Sequence, residues 1–237
     1  MPAKDTRYGL SDGPTQHTAL RGHLCPLGSK DVRQVCDADA VSKGRLEAFT
    51  DAVIAIVMTI MVLDLRPPAG HGFGDLKSLL PKLLVYALSF TFLAIYWNNH
   101  HHLMQVVERI DGRVLWANMG LLFSLSLTPA ATAWLGEHPG DTAPVVVYGL
   151  VLLLSAVAYF LLTRALLAMH SAGSRLAVAI GDDRKGLFSA IAYVAAVIVA
   201  FFEPWVAIAI YVGVAVVWLV PDRRITRVIE RGDSADS

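Results

Sequence analysis

Six apolar segments, separated by short polar stretches, dominate the pattern of hydrophobic and polar positions after residue 45. A helix needs about 20 predominantly apolar residues to cross the hydrocarbon core of a bilayer, with a range of about 17 to 25. The segments close to this length are 46–65, 79–99, 114–135, 145–169, 187–203 and 205–220. The pattern therefore predicts an all-α integral membrane protein with six transmembrane helices.

The last two segments could also form a single long helix. Residues 187–220 would then extend roughly 50 Å at about 1.5 Å per residue, far more than a core of about 30 Å requires. Glu203-Pro204 stands at the midpoint, and proline removes a helical hydrogen-bond donor and restricts the residue before it. Two short spans joined by a tight turn fit the pattern better.

Composition and charge agree with a membrane protein and add an orientation. Hydrophobic residues make up 55% of the 237 residues and charged residues only 17%, against about 25% in a typical soluble domain. The net charge is zero, so bulk charge does not favour a nucleic-acid partner. Lys and Arg are concentrated in 1–45, 104–113, 164–185 and after 221, on alternate connections. By the positive-inside rule, both termini are expected to be cytoplasmic.

The polar ends suggest three parts. Residues 1–42 are rich in Gly, Ser, Asp, Lys and Arg and lack the apolar core of a secretory signal, so they are predicted to be a disordered cytoplasmic tail. Residues 43–221 form the six-helix membrane domain, and 222–237 form a cytoplasmic C-terminal tail. Cys25 and Cys36 match no strong zinc pattern with nearby histidines and are interpreted as free thiols.

The first span carries charge close to the membrane. Arg45, Glu47 and Asp51 fall within its first two turns, and an ionisable residue inside a span is a functional-site hypothesis because charge is costly there. The structural alternative places Arg45 and Glu47 at the headgroup level and pairs Asp51 with a neighbouring helix. Side-chain chemistry alone leaves both interpretations open.

A helical wheel separates this acid from an apolar stripe. At about 100° per residue, one sector roughly 100° wide holds Ile56, Thr59, Ile60 and Leu63, whereas Asp51 points to a different face. Apolar stripes mostly serve packing. The wheel alone therefore does not distinguish a pore wall from a lipid-facing or packing surface.

The second span ends in Y-W-N-N-H-H-H-L, from Tyr96 to Leu103. Consecutive helical residues point about 100° apart, so the three histidines cannot share one metal ion, and no second cluster of ligands completes a site. We therefore expect no metal. Trp97 and His101 share a face at i, i+4 and could dock against the first helix. Asn118, in the third span, is interpreted as an interhelical hydrogen-bonding residue.

Patterns for other chemistry are missing from the sequence. It has no Gly-rich phosphate loop, no Ser-His-Asp arrangement on a plausible scaffold, no arginine-rich voltage sensor and no T-V-G-Y-G filter. We therefore predict a protein that is not an enzyme and holds no cofactor.

The first helix resembles the transmembrane protein 175 family of potassium channels, which occurs in animal endolysosomes and in prokaryotes. The residues that match the R-x-x-x-F-S-D signature of that family are Arg45, Phe49, Thr50 and Asp51, with threonine where serine is usual. The similarity continues in W-N-N-H-H from Trp97 and in D-G-R-V-L-W-A-N ending at Asn118, and it covers roughly residues 43–221.

This resemblance implies a homotetramer in the bilayer, in the prokaryotic cell membrane, with potassium ions passing through a pore lined by the first helix. The implied constriction residues are Ile56, Ile60 and Leu63, and Thr59 would form the hydroxyl layer implicated in potassium preference. The residues of the implied structural network are Arg45, Phe49, Thr50, Asp51, Trp97, His101 and Asn118. That network would hold the first helix in register without coordinating the ion.

Two other functions remain as alternatives at this stage. Asp51 and His101 near the membrane favour a proton-conducting channel or a proton-coupled transporter, although transporters often carry inverted repeats and broken helices that are not evident in this sequence. The other alternative is a small membrane enzyme that uses the histidines to bind a metal, but the sequence offers too few ligands for such a site.

Overall fold

The computed structural model describes residues 29–67, 72, 74, 76–107, 110–169 and 184–219, with side chains described from Lys43 onward except that of Arg184. Within these residues the regular structure is helical, without a strand. The helices are α1 (Ser29–Leu63), α2 (Leu76–Val106), α3 (Gly112–Ser126), α4 (Thr128–Glu137), α5 (Thr142–Met169), α6 (Arg184–Val199) and α7 (Pro204–Leu219).

Among the described residues, four helical segments are long and apolar enough to cross a membrane. They are Lys43–Leu63 within α1, the whole of α2, Gly112–Glu137 across α3 and α4, and the whole of α5. α6 and α7 are apolar as well, with 16 residues each in the described part of the chain. The prediction of an all-α membrane protein with six apolar segments is confirmed, including the break before Pro204 that separates the last two.

One predicted boundary needs correction, and the division into domains stays a prediction. The helical assignment of α1 includes Ser29 to Ser42, whereas the tail 1–42, the membrane domain 43–221 and the tail 222–237 stay as predicted from the sequence. α2 continues through the histidines to Val106 instead of ending near residue 99, because this last part buries His100, Leu103 and Met104. The rest of the predicted tails, 1–28 and 222–237, lies outside the described residues.

The third span is divided into two helices at Leu127, beside Thr128-Pro129. Pro129 has no backbone N–H, so the helical hydrogen bond that it would donate to Leu125 is missing. The Leu127 N–H instead reaches back three residues to the Ser124 carbonyl, at 3.3 Å. The span Gly112–Glu137 therefore consists of two consecutive helices with a break in the hydrogen-bond pattern at Leu127.

The buried apolar residues form two clusters within Ala38–Ser237. The first joins α1, α3 and the C-terminal halves of α2 and α5 around residues such as Ile54, Leu121 and Leu162. The second joins α4, α6, α7 and the N-terminal halves of α2 and α5 around Tyr148 and Tyr211. α2 and α5 contribute to both clusters, so they connect the helix that carries the candidate site to the α6–α7 pair.

A close contact between α5 and α7 depends on a glycine. The Tyr211 hydroxyl donates a hydrogen bond to the Val145 carbonyl at 3.2 Å, and a Cβ added at Gly149 would overlap the Tyr211 hydroxyl. We expect Gly149→Ala to lower the free energy of unfolding by about 1–3 kcal/mol, since overpacking a filled core forces displacement. Thermal unfolding of the detergent-purified protein measures this change.

The matched control is Gly120→Ala in α3, where an added Cβ meets nothing within 4 Å. That substitution is expected to leave stability unchanged or to raise it by up to about 1 kcal/mol, because alanine favours the helix more than glycine does. Equal melting temperatures for the two variants would contradict the overlap at Tyr211.

Candidate functional site

α1 has two faces that differ in burial along the whole of its membrane segment. Leu46, Thr50, Ile54, Val57 and Met61 are buried against the rest of the chain. At about 100° per residue, they lie on one side of the helix. The opposite side is exposed from Arg45 to Leu63. One half of the helix is therefore used to fix its position, and the other half is left exposed by the residues that the structure describes.

The buried half contains a chain of hydrogen bonds to α2 and α3. The Asn118 Nδ2 donates to Thr50 Oγ1 at 2.8 Å, and Asn118 Oδ1 lies 3.1 Å from His100 Nε2. All three side chains are fully buried. Since the Asn118 amide nitrogen is used by Thr50, its oxygen faces His100, and the His100 Nε2–H is the donor. His100 Nδ1 is buried without a hydrogen-bond partner in the described part of the chain.

A second set of contacts connects α1 to the C-terminal end of α2. Its members are four residues apart along α1. Lys43 Nζ donates to the Val107 carbonyl at 2.6 Å, Glu47 Oε1 lies 3.3 Å from His101 Nδ1, and Asp51 Oδ1 accepts from Trp97 Nε1 at 2.9 Å. Residues four apart share a helix face, and the partners fall in reverse order because the two helices run antiparallel. Lys43 also places a positive charge at the negative end of the α2 dipole.

His101 is held from three sides. Its ring stacks on Trp97 with centroids 5.6 Å apart and an interplanar angle of 12°. Nδ1 faces the Glu47 carboxylate, and Nε2 lies 3.0 Å from Gln105 Nε2. A neutral ring with its hydrogen on Nδ1 satisfies both contacts, since it donates to Glu47 and accepts from Gln105. This arrangement fixes the ring that supports Trp97 and, through Trp97, Asp51.

The structure brings together only part of the network implied by the sequence. Thr50 with Asn118 and Asp51 with Trp97 are direct partners, and His101 stacks on Trp97. Arg45 and Phe49 are not brought into these contacts; both are exposed, Phe49 by 51%. The physical reason is the helix period, which places these two residues on the uncovered half of α1.

Several partners were missed by sequence reasoning. They include Glu47, His100 and Gln105, besides the pair Lys43 and Val107. Glu47 could have been found, because it lies one turn before Asp51 on the same face, just as His101 lies one turn after Trp97. His100 also had a signal: consecutive histidines point about 100° apart, so one of three at the end of a span has to face the neighbouring helices. Gln105 had none beyond its spacing from His101.

The uncovered half of α1 carries the apolar stripe. Ile56, Ile60 and Leu63 are 55%, 46% and 74% exposed. Thr59 lies between them and is also exposed. Its hydroxyl donates to the carbonyls of Ala55 and Ile56 at 3.0 and 2.9 Å, so the free lone pairs of the oxygen point away from the helix. The stripe is a continuous apolar surface with one hydroxyl acceptor.

The described residues contain no group of three or more His, Cys, Asp or Glu side chains placed to hold a metal ion. The three histidines of α2 have different surroundings: His100 faces Asn118, and His101 stacks on Trp97. His102 has a buried Nδ1 without a hydrogen-bond partner among the described residues. The three histidines therefore do not converge on one point.

Comparisons with known proteins cover the segment that contains the candidate site. A family model described as the endosomal/lysosomal potassium channel TMEM175 matches residues 45–129, which include the α1 stripe, Trp97, His101 and Asn118. A potassium channel of Chryseobacterium sp. (strain P1-3) is 46% identical over 187 residues, which is 79% of this chain and 97% of that protein.

A solved structure and an animal protein are more distant relatives. The crystal structure of a lysosomal potassium-selective channel TMEM175 homolog from Chamaesiphon minutus matches with a TM-score of 0.65 and 27% identity, over 76% of this chain and 97% of that one. The endosomal/lysosomal proton channel TMEM175 of Danio rerio is 27% identical over 134 residues, 54% of this chain but only 25% of that protein. By its match to nearly the full length of the Chryseobacterium channel, the chain belongs to the TMEM175 family of membrane ion channels.

Proposed function

We propose that this protein is a potassium-preferring cation channel in which four copies of the chain surround a central pore lined by the exposed half of α1. The observation that carries the proposal is the apolar stripe of Ile56, Ile60 and Leu63, which the described residues leave exposed while the opposite half of the same helix is fixed by buried hydrogen bonds. A ring of copies would cover this stripe and give it a function. The Chryseobacterium relative is named a potassium channel.

The stripe suits a hydrophobic constriction. A narrow ring of isoleucine and leucine side chains excludes water, and so blocks ions until it widens. Such side chains cannot replace the hydration shell of potassium, so the constriction supplies a gate and little selectivity. Thr59 supplies the polar contribution: its hydroxyl hydrogen is used within the helix, and its oxygen is free to accept contacts from a passing cation.

The contacts on the other half of α1 position the gate without touching the ion. Thr50, Asp51 and Glu47 bond to α2 and α3 on the side opposite the stripe, so a change in any of them acts on the pore only through the position of the helix. The exposed Arg45 and Phe49 lie on the same half of α1 as the stripe, where copies of the chain would meet. We place both termini on the cytoplasmic side, in agreement with the distribution of Lys and Arg.

Proton conduction is the second candidate. The zebrafish relative is named a proton channel, and α1 of this chain carries Glu47 and Asp51 beside His101. These groups lie away from the stripe and bond to one another or to α2, which favours a structural use.

Reversal potentials distinguish the two candidates. The full-length protein, reconstituted in liposomes or a planar bilayer, is expected to pass a current that reverses near the potassium equilibrium potential under a potassium gradient, with sodium less permeant. A current that follows the proton gradient and ignores potassium would instead support the proton channel. A subunit count other than four, measured for the purified protein by its mass, would contradict the proposed assembly.

A further inference from the structure

A cleft lies between α2, α5, α6 and α7, away from α1 and its stripe. It contains about 500 Å³ of space that is not filled by atoms, including its open mouth. Six aromatic rings line it: Phe92, Tyr96, Tyr159, Phe160, Tyr193 and Trp218. In a chain that spans a membrane, an open apolar cleft on the side of the helix bundle is accessible to lipid chains.

Two cations mark the mouth of the cleft. The Arg164 guanidinium lies over the Phe160 ring at 5.4 Å from its centroid, and the Lys185 ammonium lies over the Trp218 ring at 6.0 Å. Both rings belong to the cleft wall, and contacts of this length are attractive cation–π interactions. None of the described residues that line the cleft is acidic, and the two cations that contact its wall are Arg164 and Lys185.

The wall also offers hydrogen-bonding groups that the protein leaves unused. Tyr96 and Asn99 line the cleft and are half-buried, and neither side chain makes a hydrogen bond with any described residue. An unpaired amide at membrane depth is costly, because no bulk water is available to satisfy it. The Trp218 indole, by contrast, is satisfied by Ser189 Oγ at 2.7 Å. The free groups therefore point to a ligand that brings its own acceptors.

The dimensions fit one lipid chain below a headgroup. The wall extends eight residues along α6, from Lys185 to Tyr193, and eight residues along α5, from Arg164 to Ala156. At 1.5 Å per residue, this is a length of about 12 Å. The cations lie at the end of the bundle next to the basic segment 164–185, which the positive-inside rule places at the cytoplasmic leaflet, where anionic lipids attract Lys and Arg. A cationic ligand in the aromatic cleft is disfavoured, because Arg164 and Lys185 would repel it.

We infer that this cleft is a binding site for an anionic phospholipid, with the phosphate at Arg164 and Lys185, an ester oxygen near Asn99, and one acyl chain among the aromatic rings. The site is separate from the conduction pathway proposed above. It requires only that the chain resides in a membrane.

Native mass spectrometry of the purified full-length protein tests the site. The protein in detergent is titrated with dioleoyl phosphatidylglycerol or with dioleoyl phosphatidylcholine, and the retained lipids per subunit are counted. The wild type is expected to retain one phosphatidylglycerol per subunit and to bind it at least about tenfold more tightly than phosphatidylcholine, since each basic side chain near a phosphate contributes appreciably. The double variant Arg164→Gln/Lys185→Gln is expected to lose this preference.

Two further variants make the result specific. Arg113→Gln removes an exposed cation from the start of α3, away from the cleft, and is expected to keep the preference. Ala156→Phe fills the cleft while retaining both cations, and is expected to reduce phosphatidylglycerol retention at unchanged elution volume. Equal retention of the two lipids by the wild type would overturn the inference. So would an undiminished preference in both the double variant and Ala156→Phe.

Discussion

Replacing Ile56 with asparagine is expected to raise cation flux at least about tenfold and to reduce the discrimination between potassium and sodium. Ile56 is 55% exposed on the uncovered half of α1. If this half lines the pore, the substitution places an amide in each copy of an apolar ring, and water then fills the constriction. A tenfold gain in rate corresponds to a barrier lowered by only about 1.4 kcal/mol, which is a small part of what an apolar ring costs an ion.

Liposome flux and reversal potentials measure both effects. The matched control is Leu161→Asn on α5, whose leucine is 56% exposed but lies on a helix with no proposed part in the pore. The control is expected to conduct like the wild type. Unchanged flux and selectivity in Ile56→Asn would contradict the proposal that α1 lines the pore. An equal increase in Leu161→Asn would attribute the effect to a general disturbance of the membrane domain.

Removing the Asp51 side chain with Asp51→Ala is expected to destabilise the protein and its assembly more than it alters selectivity. The carboxylate accepts the Trp97 N–H at 2.9 Å, and Trp97 in turn stacks on the His101 ring. Hydrogen bonds between membrane helices contribute about 0.6 kcal/mol on average and up to about 1.7, and those to charged groups lie at the upper end. We expect a loss of about 1–2 kcal/mol, or roughly 2–8 °C in melting temperature.

The variant Asp51→Asn distinguishes the effect of the hydrogen bond on stability from the effect of the negative charge. It retains an oxygen that can accept from Trp97, so it is expected to stay within about 0.5–1 kcal/mol of the wild type. Thermal unfolding and size-exclusion chromatography compare the two variants, and reversal potentials follow on those that assemble. A stable Asp51→Ala oligomer that has lost its potassium preference would show that Asp51 acts on the ion.

The spans could be predicted from the sequence because burial in a membrane requires long apolar segments, and these are visible in one dimension. Glu203-Pro204 marked the turn between α6 and α7 for the same reason: proline cannot donate the hydrogen bond that a continuous helix needs. The end of α2 could not be located in this way. Its last turns are polar in sequence, yet they bury His100 and Met104 against other helices, and only the packing reveals that.

The candidate site was predicted in part for a related reason. Spacing shows which residues of one helix share a face, and it therefore grouped the stripe of α1 and paired Trp97 with His101 on α2. Spacing does not show which faces of two helices meet. Glu47 therefore had no assigned partner. The family resemblance grouped Arg45 with Thr50, although the two lie on opposite sides of the helix. These assignments require the relative rotation of α1 and α2.

The lengths of α2 and α5 have a consequence for the surrounding bilayer. Their 31 and 28 residues extend roughly 47 and 42 Å at about 1.5 Å per residue, beyond a hydrocarbon core of about 30 Å. A helix longer than the core tilts or projects into the headgroup region, at a cost of a fraction of a kcal/mol for each ångström of mismatch. Bilayers built from longer acyl chains would therefore accommodate α2 and α5 at the lowest elastic cost.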